Sequence, residues 1–165
     1  MKTLIRPFTL AAGLAATLLL ATGAALAGPA TVTFANPDQF ADMPRESWNR
    51  DDVLADLKDH FAVLAAKLPA GQELKVEVLD LDLAGRTWPG LWGARDLRVL
   101  NGGADWPHMK FRYQIVQDGS VVKSGEETVS NMNYMWGLNR YSTGDALRYE
   151  KQMLDTWFKT LTASR

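Results

Sequence analysis

KFRYQIVQDGSVVKSGEETV, residues 110–129, decides the fold. Side chains alternate between the two faces of a β-strand, and here Phe111, Tyr113 and Ile115 fall on one face while Lys110, Arg112 and Gln114 fall on the other. Asp118-Gly119 is a dipeptide suited to the positive φ angles of a tight hairpin turn, and Val121 to Val129 reads as the returning strand. A hairpin with one apolar face is stable only when other strands extend it and another layer covers that face.

The rest of the chain supplies both. Upstream lies ELKVEVLDLDL, residues 73–83, the longest strand candidate. Its phase is broken: Leu74, Val76 and Val78 share one face, and strict alternation would then place Asp80 and Asp82 on that same face. A β-bulge near Leu79 returns Leu81 and Leu83 to the core and turns both aspartates to water. A first strand is expected over Thr31 to Ala35, ended by the Asn36-Pro37-Asp38 turn signal, and a short one over Arg95 to Leu100. Two helical stripes complete the pattern. Asn49 is placed to cap the first, with Val53, Leu54, Leu57, Phe61, Leu64 and Leu68 on one side until Pro69-Ala70-Gly71 ends it. Ser142 or Thr143 is placed to cap the second, which runs from Asp145 to about Thr162 and buries Leu147, Met153, Leu154, Trp157, Phe158 and Leu161. The expected fold is α+β in the order β-α-β-β-β-β-α, a mostly antiparallel four- to five-stranded sheet with two helices on one face.

Residues 1–27 read as a cleavable secretory signal peptide. Lys2 and Arg6 precede an uncharged run from Leu10 to Leu20 that is short for a membrane span, and Ala25-Leu26-Ala27 offers small residues where a signal peptidase cleaves. The expected mature chain is a single domain over residues 28–165, periplasmic and without a membrane span. There is no cysteine, so neither a disulfide nor a lipid-modified cysteine anchor is available. Loss of Lys2 and Arg6 turns 18 basic and 19 acidic residues into 16 and 19, a net charge of about −3. That balance argues against nucleic acid, which needs a clustered basic surface.

Several segments together resemble a bacterial family of exported proteins catalogued as a domain of unknown function, number 3016. They are VTF (32–34) with NPDQF (36–40), DLDLAG (80–85), DWP (105–107), GEE (125–127), NMNY (131–134) and YEK (149–151) running on to Asp155, Trp157 and Phe158. The resemblance covers nearly the whole mature chain. It implies export and a single domain, and brings no catalytic residue.

Two sets of residues carry the functional case. Asp80 and Asp82, two apart on a strand, point the same way and could share a divalent cation, with Glu126 or Glu127 as a third oxygen ligand. On that set rests the alternative reading of a small metal-dependent, hydrolase-like enzyme. Against it, His60 and His108 stand in no metal-binding spacing, and no nucleophile elbow or phosphate loop is present. The second set is aromatic: Trp88, Trp92, Trp106, Tyr134, Trp136 and Tyr141 lie in or near loops, beside Asn131 and Asn133. Loop Trp and Tyr offer a flat apolar face with a polar edge, suited to a protein or glycan partner. The leading expectation is therefore a non-catalytic periplasmic binding or interaction module, envelope-associated, that uses no cofactor. A homodimeric envelope scaffold is a third reading. Tyr149-Glu150-Lys151 reads as a polar helix face, and Trp157 and Phe158 as core.

Overall fold

A computed structural model describes residues 28–44, 47–90 and 96–163. The expected signal peptide and Trp92 lie outside these residues. The decisive hairpin stands as read: β5 covers His108–Gln117 and β6 covers Ser120–Ser130, with Asp118 at φ 50 and Gly119 at φ 78 in the turn. Both turn residues take the left-handed conformation, which matches the twist of the two strands. Numbering the earlier strands in chain order, β1 is Ala30–Phe34, β2 Gln72–Asp82, β3 Arg86–Trp88 and β4 Leu97–Val99.

The main sheet has the order β1-β2-β5-β6. Helix α1, Ser47–Ala65, carries the chain over one face, so β1 lies parallel to β2 with Ala30 opposite Leu74. The other two pairings are antiparallel. The sheet is thus mixed. The strand expected at Arg95 to Leu100 is shorter, Leu97–Val99, and does not join it; among the described residues β4 pairs with β3, a strand the sequence reading did not contain, in a separate ribbon.

The bulge falls at Leu79. Val78 pairs with Phe111 and Asp80 with Lys110, which leaves Leu79 as the extra residue. Downstream of it Leu81 and Leu83 are buried, while Asp80 and Asp82 are only partly covered. Leu74, Val76, Val78, Phe111, Tyr113 and Ile115 then form one apolar face with Leu57, Phe61 and Leu64 of α1 against it. Helix α2, Arg148–Ala163, covers the same face through Leu154, Trp157, Phe158 and Leu161. Trp157 is the hub, edge-on to Phe111, Tyr113 and Phe61 at centroid distances of 4.8, 5.5 and 6.5 Å. The tyrosine needs room on β6, and a Cβ on Gly125 would meet its ring at 2.9 Å, so only glycine fits there.

Both helix starts differ from expectation. Because α1 begins at Ser47, Asn49 sits inside its first turn and cannot be the cap. Helix α2 begins at Arg148 rather than Asp145, too far along for Ser142 or Thr143 to cap it: Asp145 Oδ1 accepts the Leu147 N–H at 2.9 Å just ahead of the helix, and the Ser142 hydroxyl accepts the Gly144 N–H within its own turn. The opposite face of the sheet meets water and carries a ladder of charges, Glu77 to Arg112 to Glu126, with Lys110 also on Glu126 at 2.9 Å.

Candidate functional site

The loop after β6 is built on a buried tyrosine. Tyr134 is 3% exposed; its hydroxyl accepts the Gly102 N–H at 3.2 Å and its ring stands edge-on to Tyr149 at 4.8 Å. The Asn131 N–H donates to Pro107 O, and two successive turns run from Asn131 to Tyr134 and from Asn133 to Trp136. With the tyrosine pinned inward, the tight turns throw their neighbours outward. Trp136 is 79% exposed and Leu138 97%, with Met132 and Met135 exposed beside them. The far end of the loop is tied to α2. Gln152 Nε2 donates to Leu138 O, Asn139 Nδ2 donates to Arg148 O, and the Tyr141 hydroxyl donates to Asp155 Oδ2 at 2.7 Å. Burial and the Asp155 carboxylate push the Tyr141 phenol up, so it stays protonated and donating.

Between the end of β6, this loop and α2 lies an open groove of about 560 Å³. Its floor is Thr128, Val129 and Ser130; Asn131, Asn133 and Trp136 form one wall, and Gln152, Met153, Thr156, Trp157 and Thr160 the other. None of these eleven side chains carries a charge. The Thr156 and Thr160 hydroxyls donate back to carbonyls of their own helix, and among the described residues the buried indole N–H of Trp157 meets no acceptor.

The predicted aromatic set is therefore divided. Asn131, Asn133 and Trp136 meet in the groove. Tyr134 and Tyr141 lie outside the groove lining: the first is buried, and each engages its hydroxyl with the protein itself. Trp88 is exposed on the separate β3–β4 ribbon, and Trp106 is half-buried between the buried Asp105 and Pro107.

The carboxylates do not assemble. Asp80 Oδ1 accepts the N–H groups of Ala41 and Leu81, both at 2.9 Å, and so fastens the bulge. Asp82 lies 3.5 Å from His108 Nδ1 in a cleft of about 350 Å³ shared with Asp42 and Asp105. Burial, reinforced by Asp42 and Asp80, pushes its carboxyl up against the pull of His108 and Arg98. Glu126 stands two strands away, held in its charged form by hydrogen bonds from Lys110 and Arg112. Glu127 lies opposite Phe111 and hence on the helix side of the sheet. Among the described residues no three His, Cys, Asp or Glu side chains are grouped to hold a metal ion. Asp80, Asp82, Glu126 and Glu127 are not brought together: β5 separates β2 from β6, and the pleat turns Glu127 to the other side.

Sequence reasoning also missed a buried ionic layer under α2. Glu150 and Lys151, read as a polar face, are 1% and 9% exposed. Lys151 Nζ bridges Asp56 and Asp145 at 2.8 and 2.9 Å. Glu150 Oε1 accepts the Ala84 N–H at 2.7 Å while its Oε2 has no partner among the described residues, and burial pushes the carboxyl up. The signal was available in the spacing, since Glu150 precedes Leu154 by four residues on the apolar stripe.

A family model described as a protein of unknown function, DUF3016, matches residues 28–160. The chain belongs to the DUF3016 family. No curated protein and no solved structure matches it. The match begins at Gly28, directly after the expected cleavage point, and takes in the groove, the loop and the buried ionic layer. Among the described residues of this DUF3016 chain, no helix is long and apolar enough to cross a membrane.

Proposed function

We propose that the domain is a non-catalytic binding module, exported to the periplasm, that holds a polypeptide partner of the cell envelope in the groove between β6 and α2. The observation that carries this reading is the exposed apolar loop: Met132, Met135, Trp136 and Leu138 stand in water, and Trp136 also lines an uncharged groove. Contiguous exposed apolar surface marks interaction sites, and flexible methionines beside a tryptophan suit a protein surface. A sugar would draw on the Trp136 face and the amides alone and leave Met132, Met135 and Leu138 uncovered, so a polypeptide fits the surface better. The export reading is supported by the leader pattern of residues 1–27. The metal-dependent alternative is left without a convergent set of carboxylates among the described residues.

The test is affinity capture of envelope proteins on wild type and Trp136→Ala, with thermal unfolding of both. Trp136→Ala is expected to keep its melting temperature and lose the captured protein. An unchanged capture profile, or a collapse of stability, would remove the groove from consideration.

A further inference from the structure

His60 of α1 is 5% exposed, and its Nε2 stands 3.6 Å from Oδ1 of Asp155 on α2. Neither atom has a hydrogen-bond partner among the described residues. The imidazole donates to the Lys151 backbone carbonyl through its other nitrogen, Nδ1, so in the neutral ring Nε2 carries a lone pair. Two acceptors therefore face each other across a gap that one proton on Nε2 would bridge.

Asp155 is already engaged from two other directions. The half-exposed Lys67 ammonium lies 3.5 Å from the same Oδ1, and the Tyr141 hydroxyl donates to Oδ2 at 2.7 Å. The Tyr141 ring stands edge-on to the imidazole with centroids 5.8 Å apart, so the contact that ties the loop to α2 is also part of the cover over His60. From α2 the Lys151 ammonium faces the ring, and it is itself bound to Asp56 of α1 and to Asp145 at the end of the loop. The Asp145 carboxylate in turn senses His60. Burial, with Lys151 and Lys67 adding to it, holds the imidazole below its ordinary 6.5 against the pull of Asp155. A charged His60 is thus better placed in water than in the closed fold. Its helix cannot yield easily, since Leu57, Phe61 and Leu64 hold α1 in the core. The loop can, because its far end is tied by the hydrogen bonds of Leu138, Asn139 and Tyr141 to α2.

We propose that His60 is a proton-operated catch on the loop after β6: when Nε2 takes a proton, the Tyr141 contact lets go and residues 138–145 lift from α2, while the sheet and both helices stay in place. The catch governs how the loop is held and does not depend on what the groove binds.

Amide hydrogen exchange between about pH 8 and pH 4, corrected for the intrinsic pH dependence of exchange, reads the opening of the loop separately from that of β5 and β6. The Tyr141 N–H, which donates to Asn139 Oδ1 at 2.9 Å, reports directly. In wild type the opening constant of the loop is expected to rise by up to about tenfold per pH unit below 6.5, with β5 and β6 unchanged. The rise should level off at the midpoint of the His60 ring titration followed by NMR, where the closed form takes up the proton as well. His60→Gln, which cannot charge, should open to the same extent at every pH, and Tyr141→Phe should be open already at pH 8. Loop exchange in wild type that ignores pH, or a rise that persists in His60→Gln, would overturn the proposal. So would an equal loss of protection in β5 and β6, since acid would then be unfolding the domain rather than releasing the loop. Circular dichroism identifies a variant that fails to fold, and the agreement of ring titration and loop exchange in wild type then decides.

Discussion

Deleting Leu79 should be nearly harmless, whereas adding one residue two positions later should cripple the protein. The reason is the pleat. Leu79 is the unpaired residue of the bulge between Val78 and Asp80, so its removal leaves a regular strand in which Val78 still meets Phe111 and Asp80 still meets Lys110. Every side chain downstream keeps its face. The cost is the half-buried leucine itself, about 1 kcal/mol, or half the value of a fully buried leucine. An alanine inserted between Asp80 and Leu81 does the reverse. It moves Leu81 and Leu83, both buried, to the water side and turns Asp82 inward. Two leucines at roughly 1.5–3 kcal/mol each give a loss of about 3–6 kcal/mol before any cost of burying the carboxylate. A domain of this size has a total stability of about 5–15 kcal/mol, so the insertion leaves little of it. Urea unfolding followed by tryptophan fluorescence reads both variants against wild type. If the deletion lowers the midpoint as far as the insertion does, the alternation argument for this strand is wrong.

Two further outcomes follow from the core and from the buried ionic layer. Trp157→Ala should cost about 3–5 kcal/mol in urea unfolding, because it empties the space among Phe61, Phe111 and Tyr113, while the exposed Trp136→Ala should stay within about 0.5 kcal/mol. Glu150→Gln should stabilise the protein at neutral pH. Burial raises the folded carboxyl above its ordinary value of 4.5, so as pH rises past 4.5 the unfolded chain releases a proton that the folded chain retains, and folding weakens. The glutamine keeps an acceptor for the Ala84 N–H without that penalty, so the melting temperatures of the two proteins should converge at low pH and separate as pH rises. Parallel curves across that range would show that Glu150 is not the titrating group.

What the sequence makes legible is what repeats with a period. The hairpin, the bulge at Leu79 and the apolar stripe of α2 all follow from alternation by two or by three and four, and the parallel β1–β2 pair follows from the need for a crossover. Glu150 escapes that reading because a glutamate is assigned to water by type, although its position places it on the buried stripe. Loops have no period at all. Tyr134 and Trp136 are two residues apart and chemically alike, yet one is core and the other stands in solvent, since the turns and the Gly102 contact that separate them are set by tertiary structure. The carboxylates show the same limit, for spacing along β2 says nothing about which strand will stand between Asp80 and Glu126.

The crossover also fixes an order of events in time. Residues 30–34 find their partners only at positions 74–78, whereas Gln117 and Ser120 meet across a two-residue turn. Closing the long loop costs entropy that nothing returns until α1 and β2 are in place. The C-terminal hairpin with α2 over it therefore assembles early, β2 adds to it, and the strand that leads the chain is the last to arrive.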